Sequence, residues 1–100
     1  MKYPLPRGYS FQIRRNGRVD DNRYLVDARL IAKDCSIVDS VKDYHASFDR
    51  PTCRFSAGSV LFHMLRNIDG NCRKVLSQED FTLLENRAGE MAGYERTVTE

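Results

Sequence analysis

Apolar and polar residues alternate in two runs near the start of the chain. In the first run Tyr9, Phe11 and Ile13 point to one side and the polar residues between them point to the other. This period of two is typical of a half-buried strand. In the second run one face carries Tyr24, Val26, Ala28, Leu30 and Ala32, and the other carries Leu25, Asp27, Arg29, Ile31 and Lys33. Together the two runs predict an antiparallel hairpin.

Two turn signals lie between these runs. Asn16-Gly17 favours the positive φ angles of a tight type I′ turn, whereas Asp20-Asp21-Asn22 indicates a longer return. The sequence leaves both turn positions open.

Helical spacing follows the hairpin. The apolar residues that recur at intervals of three and four are Ile37, Val41, Tyr44 and Phe48. Ser36 and Asp39 resemble a capping box, so residues 36–48 are predicted to form a helix. Pro51 disfavours helical backbone at the residue before it, which places the end of this helix at Arg50.

Three further segments are indicated in the second half. Residues 52–56 predict a short strand with Cys53 and Phe55 facing inward. An apolar stripe formed by Val60, Leu61, Met64, Leu65 and Ile68 predicts a helix that Gly70 stops. After an ambiguous "CRKVL" segment, Ser77 is the expected cap of a last helix whose buried seam comprises Phe81, Leu84, Ala88 and Met91.

These elements predict an α+β domain in which a small antiparallel sheet, the N-terminal hairpin plus one short strand, is packed by about three helices on one face. Residues 1–100 are expected to form a single compact domain, with a short arm at 1–8 and a frayed tail at 95–100. The chain is 41% hydrophobic and 30% charged, which is typical of a globular protein and not of a disordered one.

No apolar stretch approaches the ~18 residues of a membrane span, and the N-terminus lacks the apolar block of a signal peptide. The expected location is therefore the cytoplasm, without membrane association. Cys35, Cys53 and Cys72 are odd in number and widely spaced, unlike a secreted disulfide framework. They are predicted to be reduced, mostly buried thiols.

Catalytic and metal-binding motifs are missing from the sequence. The five side chains that could ligate a metal are Cys35, His45, Cys53, His63 and Cys72, and no two of them form the close pair with which structural zinc sites begin. There is also no phosphate-binding glycine loop and no local nucleophile motif. We therefore predict no enzyme activity, no cofactor and no metal.

Charge is unevenly distributed although the net charge is only +2. Residues 1–18 hold five basic and no acidic residues, whereas residues 77–100 hold six acidic residues against two arginines. The two ends are expected to attract each other, within one chain or between two. Arginine supplies twelve of the sixteen basic residues, and its planar fork suits bidentate contacts to carboxylate or phosphate.

Two surfaces are candidates for partner binding. The first is the hairpin tip, with the arginines Arg14, Arg15, Arg18 and Arg23, where Asp20 and Asp21 could neutralise two of the four charges. The second is the flank of the helix after residue 56, with Phe62, His63 and Arg66, because an exposed aromatic ring beside an arginine is enriched at binding hot spots. The "GEMAG" segment at 89–93 offers small residues for a homodimer contact or simply a helix end.

These observations predict a small non-enzymatic interaction protein that binds a larger protein partner and regulates or inhibits it. A nucleic-acid enzyme or nucleoprotein is a candidate partner. Inhibitors encoded by phages are one example of small proteins that act in this way. The alternative is direct nucleic-acid binding through the arginine-rich hairpin. A third reading is a thiol- or zinc-dependent activity around the three cysteines. The sequence leaves monomer and homodimer open.

Overall fold

An antiparallel sheet forms one layer of the fold and helices form the other. The computed structural model describes residues 1–49 and 54–94. The strands are β1 (Lys2–Pro4), β2 (Ser10–Asp20), β3 (Arg23–Ile31), β4 (Ile37–Asp49) and β5 (Arg54–Phe55). The helices are α1 (Ala57–Arg66), α2 (Cys72–Val75) and α3 (Gln78–Tyr94), and a 3₁₀ turn occupies Pro6–Gly8.

The strands lie in the sheet in chain order, β1-β2-β3-β4-β5, and each neighbouring pair is antiparallel. The predicted α+β class with an antiparallel sheet is confirmed. Three helices are described, although α2 lies in the "CRKVL" segment that the sequence left ambiguous. The sheet is larger than a hairpin plus one short strand, because β1 and β4 also belong to it. β1 lies within the predicted N-terminal arm, and β5 falls in the segment where a short strand was predicted. Cys53 and the rest of that segment before Arg54 are outside the described residues, as is the predicted helix end at Arg50-Pro51.

The hairpin turn lies at Asp21-Asn22 and not at Asn16-Gly17. Asp20 pairs with Arg23, so the longer of the two predicted returns is the one that forms. Asn16 instead lies at an irregularity within β2, where the register shifts between Arg15 and Gly17. An Asn-Gly pair can therefore occupy a bulge inside a long strand. The extra residue of a bulge is left out of the hydrogen-bonded ladder between the strands.

The predicted helix over 36–48 is wrong, because these residues form most of strand β4. Val41 lies opposite Ala28 and Tyr44 lies opposite Val26, so one extra residue is inserted in β4 between the two pairs. This bulge, where Asp43 has φ 55°, converts the strand period of two into a spacing of three. A spacing of three is also a helical spacing, which is why the pattern resembled a helix.

The core lies between the sheet and the helices. The strand residues that are fully or almost fully buried include Phe11, Ile13, Val26 and Leu30, and the helix residues include Leu61, Leu65 and Leu84. The predicted face of the second strand, Tyr24 to Leu30, is confirmed as buried. We refer to this side of the sheet as the inner face and to the opposite side as the outer face.

Polar residues, Ser56 and Asn67, flank helix α1. The Ser59 backbone N–H donates to Ser56 Oγ at 3.1 Å, which caps its start. Its end at Arg66 precedes the predicted stop at Gly70, and Ile68 is consequently outside the helix and 75% exposed. The other four residues of the predicted stripe are buried as expected.

Helix α3 has the predicted cap and most of the predicted seam. The Asp80 backbone N–H donates to Ser77 Oγ at 3.1 Å, while Leu84, Ala88 and Met91 are buried and Phe81 is partly buried. The Asp80 carboxylate accepts from Tyr9 Oη at 2.8 Å. Arg7 forms ion pairs with Glu79 and Asp80. The basic N-terminal end of the chain is thus bound to the acidic start of α3 within one molecule.

Candidate interaction surfaces

The arginines of the hairpin do not form one surface. Arg14 pairs with Asp27 across the sheet and lies on the outer face. Arg15 and Arg18 lie on the inner face, because they pair with Val26 and Tyr24. Arg23 begins β3 at the tip. The four cations are therefore divided between two sides and the end of the hairpin.

Each hairpin arginine has a contact within the chain. Arg23 donates from Nη2 and Nε to Asp20 Oδ2, at 2.6 and 3.1 Å. Arg18 Nη2 lies 4.0 Å from Asp21 Oδ1, and the Arg15 guanidinium lies over the Tyr24 ring, 4.5 Å from its centre. The two aspartates thus offset charge at the tip, which limits its attraction for anions.

An aspartate network connects three strands on the outer face. Asn16 Nδ2 donates to Asp27 Oδ1 at 2.6 Å and to Asp43 Oδ1 at 3.0 Å. The Asp43 backbone N–H donates to the same Asp27 oxygen at 3.0 Å, and Arg14 Nη2 lies 3.5 Å from Asp27 Oδ2. The network joins the two bulges at Asn16 and Asp43, so Asp27 positions both irregular segments.

This network predicts an acid-sensitive contribution to stability. The hydrogen bond from the Asp43 backbone N–H, followed by that from Asn16, holds the pKa of Asp27 below its ordinary value of 3.8. A lowered folded-state pKa gives stability that is present above the unfolded pKa and is lost as pH falls through the folded one. We expect Asp27→Asn to be less stable than wild type at neutral pH.

Urea unfolding between about pH 7 and about pH 2 tests this expectation, because that range spans the titration of carboxyl groups. The stability curves of wild type and Asp27→Asn should begin to converge below about pH 4 and approach each other as pH falls through the lowered folded-state pKa of Asp27. Asp21→Asn is the control, since that side chain is 85% exposed. A difference between wild type and Asp27→Asn that is the same at every pH would contradict the role assigned to this carboxylate.

The predicted α1 surface is partly engaged inside the fold. The Arg66 guanidinium lies 4.5 Å from the centre of the Phe62 ring, and its Nε donates to Glu85 Oε2 at 2.7 Å. Phe62 is half-buried, whereas His63 is exposed and its ring lies 6.5 Å from that of Tyr44. This contact brings His63 next to β4, on the inner face and away from Arg14.

The small residues near the end of α3 pack inside the molecule. A Cβ added to Gly58 of α1 would lie 2.4 Å from the backbone nitrogen of Ala92 and 2.6 Å from the backbone oxygen of Ala88. The smooth side of α3 is therefore occupied by α1. Gly89, in contrast, faces open space.

The outer face is the surface that the sequence reasoning missed. Among the described residues no helix lies on it, and two shallow depressions of about 530 and about 750 Å³ extend along it. The exposed cations that line these depressions are Lys2, Arg14, Arg29, Lys33 and Lys42. The alternation of β2 and β3 already indicated that Arg14 and Arg29 face away from the core. The helix prediction over 36–48 hid the contribution of β4.

Cysteines and possible metal ligands give no cluster in the described part of the chain. No group of three or more His, Cys, Asp or Glu side chains there could hold a metal ion. Cys35 is exposed, contrary to the expected mostly buried thiols, because it lies in the loop between β3 and β4 with φ 71°. Cys72 is buried as expected, and burial, followed by the charge of Asp39, raises its pKa to about 12.

This difference predicts selective alkylation. At about pH 8 iodoacetamide should modify Cys35 in the folded protein, while Cys72 should react only after unfolding, because the thiolate is the nucleophile. Mass spectrometry of proteolytic peptides distinguishes the two sites. Equal modification of Cys35 and Cys72 in the folded protein would contradict the burial of Cys72.

By its architecture the protein is a small α+β domain whose antiparallel sheet has helices on one face. A scan against protein-family models, a search of curated proteins and a search of solved structures each found no match. In the described residues, no helix has the length and apolar character that crossing a bilayer requires.

Proposed function

We propose that the chain is a small interaction protein that acts by binding a larger protein partner and regulating or inhibiting it. The observation that supports this proposal is the outer face of the sheet, where exposed Ile37 lies beside a set of cations. Apolar residues at the centre of a polar surface are the usual anchors of protein–protein contacts. A nucleic-acid enzyme or nucleoprotein is one class of partner that such a surface could serve.

Direct nucleic-acid binding through the hairpin is the second candidate. A depression lined by Arg15, Asn16, Gly17, Arg18 and Tyr24 favours it, because two guanidinium groups flank an aromatic ring there. The charge offset by Asp20 and Asp21 weighs against it. Phosphate binding would make the affinity for a random duplex fall steeply between ~50 and ~200 mM salt.

Affinity capture with the full chain as bait tests the two candidates together. Four baits are compared with wild type in nuclease-treated lysate of the source cells or their host. One is altered on the outer face (Arg29→Glu with Ile37→Ser), one at the hairpin (Arg15→Glu with Arg18→Glu) and one on α1 (Phe62→Ala with Arg66→Ala). Lys74→Glu on α2 is the control for an exposed charge reversal.

We expect wild type and Lys74→Glu to retain one protein at stoichiometric amount, and the outer-face bait to lose it. Recovery of no stoichiometric protein would overturn the proposed function. Capture that depends on nucleic acid and disappears with the hairpin bait would favour the second candidate. If only the hairpin bait or only the α1 bait failed to retain the protein, the chain would still bind a protein partner. Its binding surface would then be the hairpin or α1 and not the outer face.

A further inference from the structure

A row of hydrogen-bond donors crosses the outer face. Lys2 pairs with Gln12, Gln12 pairs with Arg29 and Arg29 pairs with Ser40, on four successive strands. Directly opposed residues share a face of the sheet, so these four side chains form one line. Arg29 Nε donates to Gln12 Oε1 at 2.8 Å, so one of the five N–H groups of the guanidinium ties it to the neighbouring strand.

An apolar patch adjoins this row. Ile31 and Ile37 are directly opposed on β3 and β4, and Pro4 lies on the same side, two residues along β1 from Lys2. Ile37 is 55% exposed and Ile31 is partly exposed. Two neighbouring isoleucines that are open to water form a contact area that a partner's apolar side chain could bury, at roughly 25 cal/mol per Å².

In the part of the chain that the structure describes, the cations of the outer face other than Arg14 lack carboxylate partners. Among residues 1–49 and 54–94 neither Lys2 nor Lys42 forms an ion pair, and Arg29 bonds to an amide. The carboxylates on this face, Asp27 and Asp43, accept hydrogen bonds from Asn16. The row therefore presents positive charge that the described part of the chain does not neutralise.

We propose that the outer face binds a segment of the partner protein in which carboxylates flank an apolar side chain. The apolar side chain would cover Ile31 and Ile37, and the carboxylates would accept from Lys2, Arg29 and Lys42. This inference rests on the proposed function and specifies the chemistry of the partner. It is carried by the charge complementarity and by the apolar patch beside the charges.

Nucleic acid fits this face less well than an acidic protein segment. A phosphate backbone would use the cations but would leave the isoleucine patch exposed. Single-stranded nucleic acid is bound by aromatic rings on which bases stack. Within the described residues, the depression between Gln12 and Lys42 is lined by no aromatic side chain. Tyr9 lines the other depression, and its hydroxyl donates to Asp80 Oδ2.

The size of the face suits a short segment. Four strands about 4.8 Å apart span about 14 Å across the sheet, and nine residues that each rise about 3.3 Å span about 27 Å along a strand. An extended peptide of about nine residues has the same length. This dimension sets the length of the probe used below.

Peptides of nine residues with blocked ends test the inference directly. The first alternates Glu and Leu, the second alternates Glu and Ser, and the third alternates Lys and Leu. Each is titrated into ¹⁵N-labelled full chain, and the backbone amide shifts give both the affinity and the location. We expect the Glu/Leu peptide to shift the amides around Gln12, Arg29 and Ile37. The Glu/Ser and Lys/Leu peptides should bind at least about fivefold more weakly, because the first lacks apolar side chains and the second lacks carboxylates.

The structure offers two matched pairs of variants for the same titration. Lys42→Glu on the outer face is compared with Lys74→Glu on α2, and Ile37→Ser (55% exposed) is compared with Val75→Ser (58% exposed). Lys42→Glu and Ile37→Ser should each weaken binding of the Glu/Leu peptide at least about fivefold, and their controls should leave it unchanged. Each variant's own spectrum shows whether it is folded.

Three results of the peptide titrations would overturn the inference. They are the binding of no peptide, equal binding of the Glu/Leu and Lys/Leu peptides, and shifts that lie on the helices instead of the outer face. A random 20-base single strand and the corresponding duplex are titrated in parallel. Nucleic acid that shifts the outer-face amides more strongly than the Glu/Leu peptide would also overturn the inference. The capture experiment described above decides the proposed function separately, since it does not depend on which surface binds.

Discussion

Gly58→Ala is expected to lower the free energy of unfolding by about 2–3 kcal/mol, although alanine is the better helix former. The added Cβ would lie within 2.6 Å of two backbone atoms of α3, at Ala88 and Ala92. Backbone atoms cannot rotate away as a side-chain end can, so α1 must move off α3. The gain in helix propensity, about 1 kcal/mol, is smaller than the cost of separating two packed helices.

Gly89→Ala is the matched control for this prediction. It makes the same chemical change in α3, at a position where a Cβ would meet nothing within 4 Å. We expect it to leave stability unchanged or raise it by up to about 1 kcal/mol. Urea unfolding followed by circular dichroism measures both variants. If Gly58→Ala were as stable as Gly89→Ala, the close crossing of α1 and α3 would be wrong.

Asp39→Ala is expected to have the next largest effect, a destabilisation of about 2 kcal/mol. Asp39 Oδ2 accepts from the backbone N–H groups of Asn71 and Cys72, at 2.9 and 3.3 Å. Asn71 Nδ2 in turn donates to the Val38 carbonyl at 2.8 Å, so these contacts attach the start of α2 to β4. Removal of the carboxylate leaves the partly buried Cys72 N–H without its acceptor, which is the costly case for a hydrogen bond.

Asp39→Asn separates the hydrogen bonds from the charge. The amide side chain has the same shape and keeps an acceptor oxygen. We therefore expect Asp39→Asn to lower the free energy of unfolding by less than half as much as Asp39→Ala does. Asp69→Ala, in the exposed loop before α2, controls for the loss of a carboxylate alone. Equal stability of Asp39→Ala and Asp69→Ala under urea would show that Asp39 does not anchor α2.

Elements with undisturbed periodicity could be predicted from the sequence, and those with bulges could not. The second strand, the stripe of α1 and the seam of α3 follow a constant period of two or of three to four, so their buried faces could be read directly. β4 contains an inserted residue near Asp43, where the strand period is interrupted. The β-branched residues Ile37, Val38 and Val41 were the signal that favoured a strand there.

The position of the hairpin turn and the faces on which the arginines lie depend on contacts between residues that are distant in sequence. A local sequence pattern does not show such contacts. Asn16 forms a bulge because its amide can reach both Asp27 and Asp43, from two other strands. Likewise the hairpin arginines could be recognised as a group, but their division between the faces depends on the register of β2 against β3. The outer face, which includes β4, could not be assembled while residues 36–48 were interpreted as a helix.

The uneven distribution of charge along the chain indicated one feature of the fold and not another. It predicted attraction between the two ends, and Arg7 does contact Glu79 and Asp80 within the molecule. It did not indicate that Lys2, Arg29 and Lys42 would meet on one side of a sheet, since they are distant in sequence and are joined only by strand pairing.

The proposed binding requires the outer face to be open to solvent, and paramagnetic relaxation of methyl groups by a soluble gadolinium chelate measures this accessibility directly. Opposed residues on β3 and β4 provide the comparison within one spectrum. We expect strong relaxation enhancement for the methyl groups of Ile31 and Ile37, and protection for those of Val26 and Leu30, which are fully buried on the inner face. If Ile31 and Ile37 were as protected as Leu30, the outer face would be covered and could not be the binding surface.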